Sequence, residues 1–207
     1  GRHLIVIECL NDVAYDRPQT STCPYDRYAR HHVLNPTVRT RRYSRRMVSL
    51  SPRPVDAPES HELLAEYFAM RAEIFPGGAY RTVFPDPSAF VSPAGVFLVV
   101  TAAVADGLEI SGPVGCGGIR RIADGPHGVR YEVKHLYLRP QTRGRGWGRL
   151  VLDGLESEAR ALGASELVLD THHTLDAAGA LYAKSGFISI EPYNDNANAT
   201  RWYSKAL

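Results

Sequence analysis

The segment Leu136-Tyr-Leu-Arg-Pro-Gln-Thr-Arg-Gly-Arg-Gly-Trp-Gly-Arg-Leu150 decides how this chain folds. A run with strand character ends at Arg139-Pro140, a glycine-rich turn follows, and a helix begins inside that turn. Gly144, Gly146 and Gly148 carry no Cβ to keep a phosphate away from the backbone amides. The first amides of a helix have no intrahelical acceptor, and the helix dipole adds about half a positive charge there. Arg143, Arg145 and Arg149 can supply ionic partners. The loop therefore reads as a polyphosphate cradle. It lacks the Lys-Ser/Thr ending of a P-loop, which argues against a nucleoside triphosphate with magnesium. A dinucleotide fingerprint needs G-x-G-x-x-G near a first strand, whereas this G-x-G-x-G follows a fourth. Taken alone, the Gly-Arg run also fits a flexible basic loop.

Working downstream, residues 146–162 predict a helix, with Val151, Leu155, Ala159 and Leu162 on one face and Gly163 as its stop. Residues 167–170 predict a short buried strand and 176–185 a second helix closed by Gly186. Residues 187–190 and 200–205 predict a terminal hairpin with a long connection. Upstream, residues 96–103, 114–122 and 129–138 are β-type runs with short connections, expected as antiparallel neighbours. Residues 48–51 predict a first short strand. Residues 58–71 predict a helix with Leu63, Leu64, Tyr67, Phe68 and Arg71 at helical spacing, broken by Pro76-Gly77-Gly78. The order β-α-β-β-β-α-β-α-β-β describes a mixed α/β domain around one sheet.

The composition, 44% hydrophobic and 22% charged over 207 residues, is that of a soluble globular protein. The longest apolar stretch, residues 96–105, is about half of the roughly 20 residues that cross a bilayer, so no membrane association is expected. Residues 4–10 are interrupted by Glu8 and lack a cleavage site, so they do not read as a signal peptide. Cys9, Cys23 and Cys116 are odd in number and without metal-ligand spacing, which fits a reduced, cytoplasmic setting. Residues 1–46 hold nine Arg against Glu8, Asp12, Asp16 and Asp26, a balance of +5, leaving 15 basic and 18 acidic residues elsewhere. With no sustained period, 1–46 reads as a basic, disordered N-terminal extension and 47–207 as the folded domain. The run RTRRYSRR at 39–46 can serve as a nucleic-acid arm, but nothing else in the chain supports one.

Arg143-x-x-Gly146-x-Gly148 matches the Arg/Gln-x-x-Gly-x-Gly/Ala pattern of the GNAT acetyltransferases, and Leu181-Tyr-Ala-Lys-Ser-Gly-Phe187 looks like that family's L-Y-x-x-x-G-F. The two motifs lie at the family's separation, and the resemblance covers residues 47–207. It implies a central, mostly antiparallel mixed sheet flanked by helices, with the fourth and fifth strands splayed apart. It also implies acetyl-CoA as co-substrate, its pyrophosphate held by Arg143, Gly144, Arg145, Gly146, Trp147, Gly148 and Arg149. Its pantetheine arm would lie along the backbone of Leu136, Tyr137 and Leu138, one of whose amides would serve as oxyanion donor. Family members often carry Asn seven residues before the tyrosine; here that position is Leu175.

An amine with a pKa near 10.4 must lose a proton before it attacks a thioester, so a base or a water relay is required. Glu132, eleven residues before Arg143, stands where family members with a strand glutamate place the base. Pairing with Lys134, two residues on and on the same strand face, is the structural alternative. His135 on the other face is a weaker candidate. Tyr182 occupies the position of the family's acid for the leaving thiolate; as a structural residue it would be a ring packed on the sheet. His172-His173 lack a third spaced ligand, and no metal is expected. Cys116 reads as a small buried residue. The function expected is acetyl transfer to a primary amine of a small or amino-acid-like molecule, with pocket walls from 75–84 and 193–203. A homodimer is left open. A non-catalytic acyl-CoA sensor is the alternative.

Overall fold

The strands β2 (Gly95–Ala102), β3 (Gly112–Arg121) and β4 (Arg130–Leu138) form an antiparallel meander. They belong to a computed structural model that describes residues 48–76, 80–103 and 111–207. β1 (Val48–Pro52) pairs with β2, and β5 (Glu166–Thr171) runs parallel to β4. β7 (Arg201–Ala206) inserts between β5 and β6 (Ile188–Ile190), giving the order β1-β2-β3-β4-β5-β7-β6. The sequence-based element order holds throughout, and most element ends fall within one or two residues of expectation. Among the described residues, 3₁₀ turns at Pro87–Phe90 and Pro140–Thr142 lie in stretches without periodic patterning. The basic stretch 1–46, with Cys9, Cys23 and the 39–46 arginine run, lies outside the described residues, as does Met47.

Helices cover both faces of the sheet. On one face, Leu63, Leu64 and Phe68 of α1 (Pro58–Ile74) pack with Phe97, Val99, Cys116 and Tyr137. On the other, Val151, Leu152 and Leu155 of α2 (Trp147–Ala161) pack with Leu98, Val100, Val114 and Val133. Alternate residues of β2 thus serve opposite layers, which is why its sequence is a continuous apolar run rather than an alternating one. A Cβ at Gly117 would sit 3.0 Å from Val151 Cγ1 and 3.1 Å from Leu155 Cδ1. Glycine there lets α2 approach β3. On the α1 side, Arg139 at the end of β4 is stapled to Glu66 and Glu62, with Nη2 2.6 Å from an oxygen of each. α3 (Asp176–Lys184) completes the α2 layer through Leu181, Tyr182 and Phe187 just beyond its end.

Candidate functional site

The parallel ladder between β4 and β5 is short. It runs from Arg130↔Glu166 to Glu132↔Val168, although β4 continues to Leu138 and β5 to Thr171. Past Glu132 the two strands share no rung, and a cleft of about 1170 Å³ opens between them. Residues 133–138, Asp170, Thr171, the start of α2 and Tyr182 line it. Helix α1 and residues 80–86 supply an aromatic wall, and residues 194–198 close another side.

A β-bulge accompanies the opening. Cys116 pairs with Tyr137 and Gly118 with Lys134, so β4 takes three steps where β3 takes two. His135 absorbs the extra residue at φ 56, a left-handed conformation unusual outside glycine. Its ring is packed against Tyr67, Phe68 and Phe90, and its Nδ1 is buried without a partner. Burial, then the Lys134 and Arg120 charges, push its pKa down to about 3, so the imidazole stays neutral near pH 7. Such a group is a weak proton acceptor.

The glycine-rich loop sits at the N-terminus of α2. Gly144 and Gly146 have φ 76 and 77, and Gly146 is the residue that precedes the first helical turn. The first amide bonded back into the helix is that of Leu150, to Gly146 O at 3.2 Å. The amides of Trp147, Gly148 and Arg149 precede that bond and have no acceptor one turn back. Arg143 Nε donates to Leu138 O at 3.2 Å, tying the loop to the end of β4. Arg149 is committed elsewhere, to Asp153 at 2.7 Å and to the carbonyl of Lys184 at 3.0 Å, which locks α2 against α3. A Cβ at Gly148 would meet Leu181 Cδ2 at 3.3 Å, so the two motif segments pack on one another. Leu175, where relatives often have Asn, immediately precedes α3, offers no capping side chain, and lines the cleft.

Tyr182 is 7% exposed and lines the cleft, with its ring against Phe187 and Tyr203. Burial, then the Asp170 charge, raise its pKa well above that of a free phenol, so it holds its proton at physiological pH.

Glu132 is 1% exposed and outside the residues that line the cleft. Its Oε2 pairs with Arg120 at 2.6 Å. Its Oε1 is ion-paired with Lys134 at 2.8 Å and accepts from the Tyr193 hydroxyl at 2.9 Å and from Asn194 Nδ2 at 3.2 Å. Lys134 bridges onward to Asp170, which also accepts from Asn194 and Asn196. Burial alone would raise the Asp170 carboxyl, but the Lys134 charge and these donors outweigh it and hold the pKa below the usual carboxylate range. The pairing of Glu132 with Lys134 follows from their i, i+2 spacing. The asparagine ladder was only partly foreseen: Asn194, Asn196 and Asn198 alternate, each carboxamide oxygen of the first two accepting from the amide two residues on. Asn198 then clasps Arg81 through two backbone hydrogen bonds of 2.9 and 3.2 Å, joining this loop to the aromatic wall.

The remaining candidates are occupied or inert. His172 Nδ1 lies 2.9 Å from Thr174 Oγ1, and His173 Nδ1 lies 3.0 Å from Thr200 Oγ1. Cys116 is buried, and burial pushes its thiol pKa up, away from a reactive thiolate.

Residues 60–187 match the family model described as the acetyltransferase (GNAT) family. An IAA acetyltransferase of Azospirillum brasilense is 41% identical over 80 residues, which are 39% of this chain and 50% of that protein. An uncharacterized N-acetyltransferase of Schizosaccharomyces pombe is 43% identical over 65 residues, 31% of this chain and 40% of the relative. The matched stretch thus spans half or less of these relatives' own length. Among solved structures, a GNAT-family acetyltransferase of Staphylococcus aureus Mu50 superposes with a TM-score of 0.61 at 16% identity, covering 77% of this chain and 98% of the other. At that identity the likeness concerns the fold.

Proposed function

The chain belongs to the acetyltransferase (GNAT) family, and from that premise we propose that it moves an acetyl group from acetyl-CoA to the primary amine of a small molecule. The carrying observation is that one cleft gathers the unpaired amides of the α2 N-terminus, the unladdered edge of β4 and the protonated Tyr182. The loop residues 143–149 suit the pyrophosphate, since a helix N-terminus binds anions without further devices. Leu136, Tyr137 and Leu138 offer backbone groups to the pantetheine arm along a strand edge that β5 leaves unpaired. Acetyl-CoA brings the activated thioester.

The free amine attacks the thioester carbonyl, and a β4 amide beside the bulge donates to the developing oxyanion. As the tetrahedral centre collapses and the C–S bond breaks, Tyr182 passes its hydroxyl proton to the sulfur and regains one from solvent. The proton lost by the amine leaves through water in the cleft. Glu132 is the expected direct base, but it lies outside the cleft lining with its carboxylate engaged by Arg120, Lys134, Tyr193 and Asn194; we assign it instead to holding Lys134, Arg120 and the 193–194 loop in place.

Tyr182→Phe tests this reading. Single-turnover acetyl transfer should slow by about 10²-fold, the lower end of the general-acid range, because a thiolate is a tolerable leaving group. Acetyl-CoA affinity measured by calorimetry should change by no more than one hydrogen bond, about 1 kcal/mol. Equal single-turnover rates would remove Tyr182 from the chemistry.

A further inference from the structure

Arg71 lies on the apolar face of α1, at the helical spacing that otherwise holds Leu63, Leu64, Tyr67 and Phe68. It is 3% exposed, yet it lines the cleft. Among the described residues its guanidinium forms no ion pair and no hydrogen bond, and its Nη1 is buried without any partner. It lies over the Tyr80 ring, with Cζ 5.2 Å from the centroid. The contrast with its neighbours is sharp. Arg120, Arg130 and Arg139 are each held by a carboxylate at 2.6–2.7 Å. Among the described residues no carboxylate does the same for Arg71.

A desolvated guanidinium with unused donors is costly unless an anion completes it. Its planar fork fits a carboxylate in two parallel hydrogen bonds. The polyphosphate has its own cradle at the start of α2, whereas Arg71 stands on the α1 wall among aromatic rings. Its charge is also felt at Tyr182 and His172, which puts it on the reacting side of the cleft. Resting on the acyl-transfer reading above, we propose that the acceptor amine also carries a carboxylate, and that Arg71 binds it. A single buried cation matches one negative charge better than the two of a phosphate monoester. The amine then points from the Arg71 anchor toward Tyr182, and the rings of Tyr67, Phe68 and Tyr80 flank the remainder of the molecule.

The full chain, as wild type, Arg71→Gln and Arg71→Met, is assayed with acetyl-CoA. The acceptors are L-leucine, L-phenylalanine, β-alanine and 4-aminobutyrate, each beside its carboxamide and its decarboxylated amine, with O-phosphoethanolamine as the phosphate arm. Rates are compared at equal concentrations of free amine. At least one acid should exceed its carboxamide by about 10- to 100-fold in kcat/KM, the range of one charge-assisted contact. Both substitutions should erase that preference, mainly through KM, bringing the acid down to about the kcat/KM of its carboxamide. Calorimetry of N-acetyl-L-leucine and its amide in the presence of CoA gives an independent readout, with the acid bound more tightly only when Arg71 is present. Neither substitution should lower the Tm of the unliganded protein, since the charge removed has no carboxylate partner among the described residues. Carboxamides, plain amines or the phosphate taken as well as the acids would overturn the proposal. So would an equal loss for acids and amides on substitution, which would make Arg71 an oxyanion donor. Arg71-dependent binding of the N-acetyl acid without any turnover would keep this inference and defeat the acyl-transfer reading. Turnover indifferent to the carboxylate would do the reverse.

Discussion

Glu132 and Tyr182, the two expected catalytic side chains, stand in opposite conditions: Tyr182 lines the cleft, Glu132 lies behind its lining, and the two differ in their partners. The Tyr182 hydroxyl makes no hydrogen bond among the described residues and keeps its proton because burial penalises the phenolate. Glu132 is fixed by Arg120, Lys134, Tyr193 and Asn194. Replacing Glu132 with Gln keeps the shape but leaves Arg120 and Lys134 less compensated. Breaking one side of a buried pair costs about 3–5 kcal/mol; with the Arg120 side chain 43% exposed, and Asp170 still holding Lys134, about 2 kcal/mol is expected. That corresponds to a Tm lower by roughly 4–8 °C. The pH–rate profile should keep its shape, with any fall in rate uniform across pH. Loss of the neutral limb at an unchanged Tm would restore Glu132 as the base. The Glu132–Lys134 contact is legible in the sequence because it is local. Tyr193 and Asn194 reach Glu132 from 61 and 62 residues away and Asn196 reaches Asp170 from 26, and no periodicity encodes such a meeting. Arg71 was visible on the α1 face only as a helical position; that no carboxylate would meet it depends on packing.

At the level of elements, the phosphate loop works through backbone angles rather than through space. A Cβ at Gly144 or Gly146 would meet nothing within 4 Å, so bulk alone does not demand glycine there. The φ of 77 at Gly146 does, and a β-branched residue suffers most in that region. Gly146→Val should therefore weaken acetyl-CoA binding by about 5- to 150-fold, the equivalent of the 1–3 kcal/mol that such backbone strain costs. The circular-dichroism spectrum should be retained, since the residue buries nothing. Calorimetry giving an unchanged affinity in the folded variant would sink the phosphate-loop assignment. The loop was readable because three glycines and a helix start lie within one short segment. The bulge at His135 was not, since a histidine at φ 56 has no local signature and the extra residue shows only against β3. The splay of β4 from β5 was expected only through the family resemblance; period-2 patterning says where a strand lies, not where it loses its neighbour.

For the whole molecule, the uneven charge of the chain separates the basic stretch 1–46 from a mildly acidic remainder. Among the described residues, both hydrophobic clusters close around the sheet with α1 on one face and α2 on the other. The family match begins only at residue 60. We propose that residues 47–207 fold and bind cofactor by themselves, because 1–46 has no periodic apolar positions with which to join either cluster. A protein starting at Met47 should melt within a few degrees of the full chain. The linkage to CoA provides the sharper test. A ligand that binds only the folded state stabilises it by about 2.7 kcal/mol at 100 times its Kd. At about 2–4 °C per kcal/mol for a domain of this size, CoA should raise the Tm by roughly 5–11 °C. The rise should be the same for the full chain and for residues 47–207 at equal CoA concentration. A smaller rise in the shorter protein, at low but not at high ionic strength, would mean that the arginines of 1–46 assist the polyphosphate, since screening removes such contacts. A smaller rise at every salt concentration, together with a lower unliganded Tm, would mean that 1–46 is part of the folded domain.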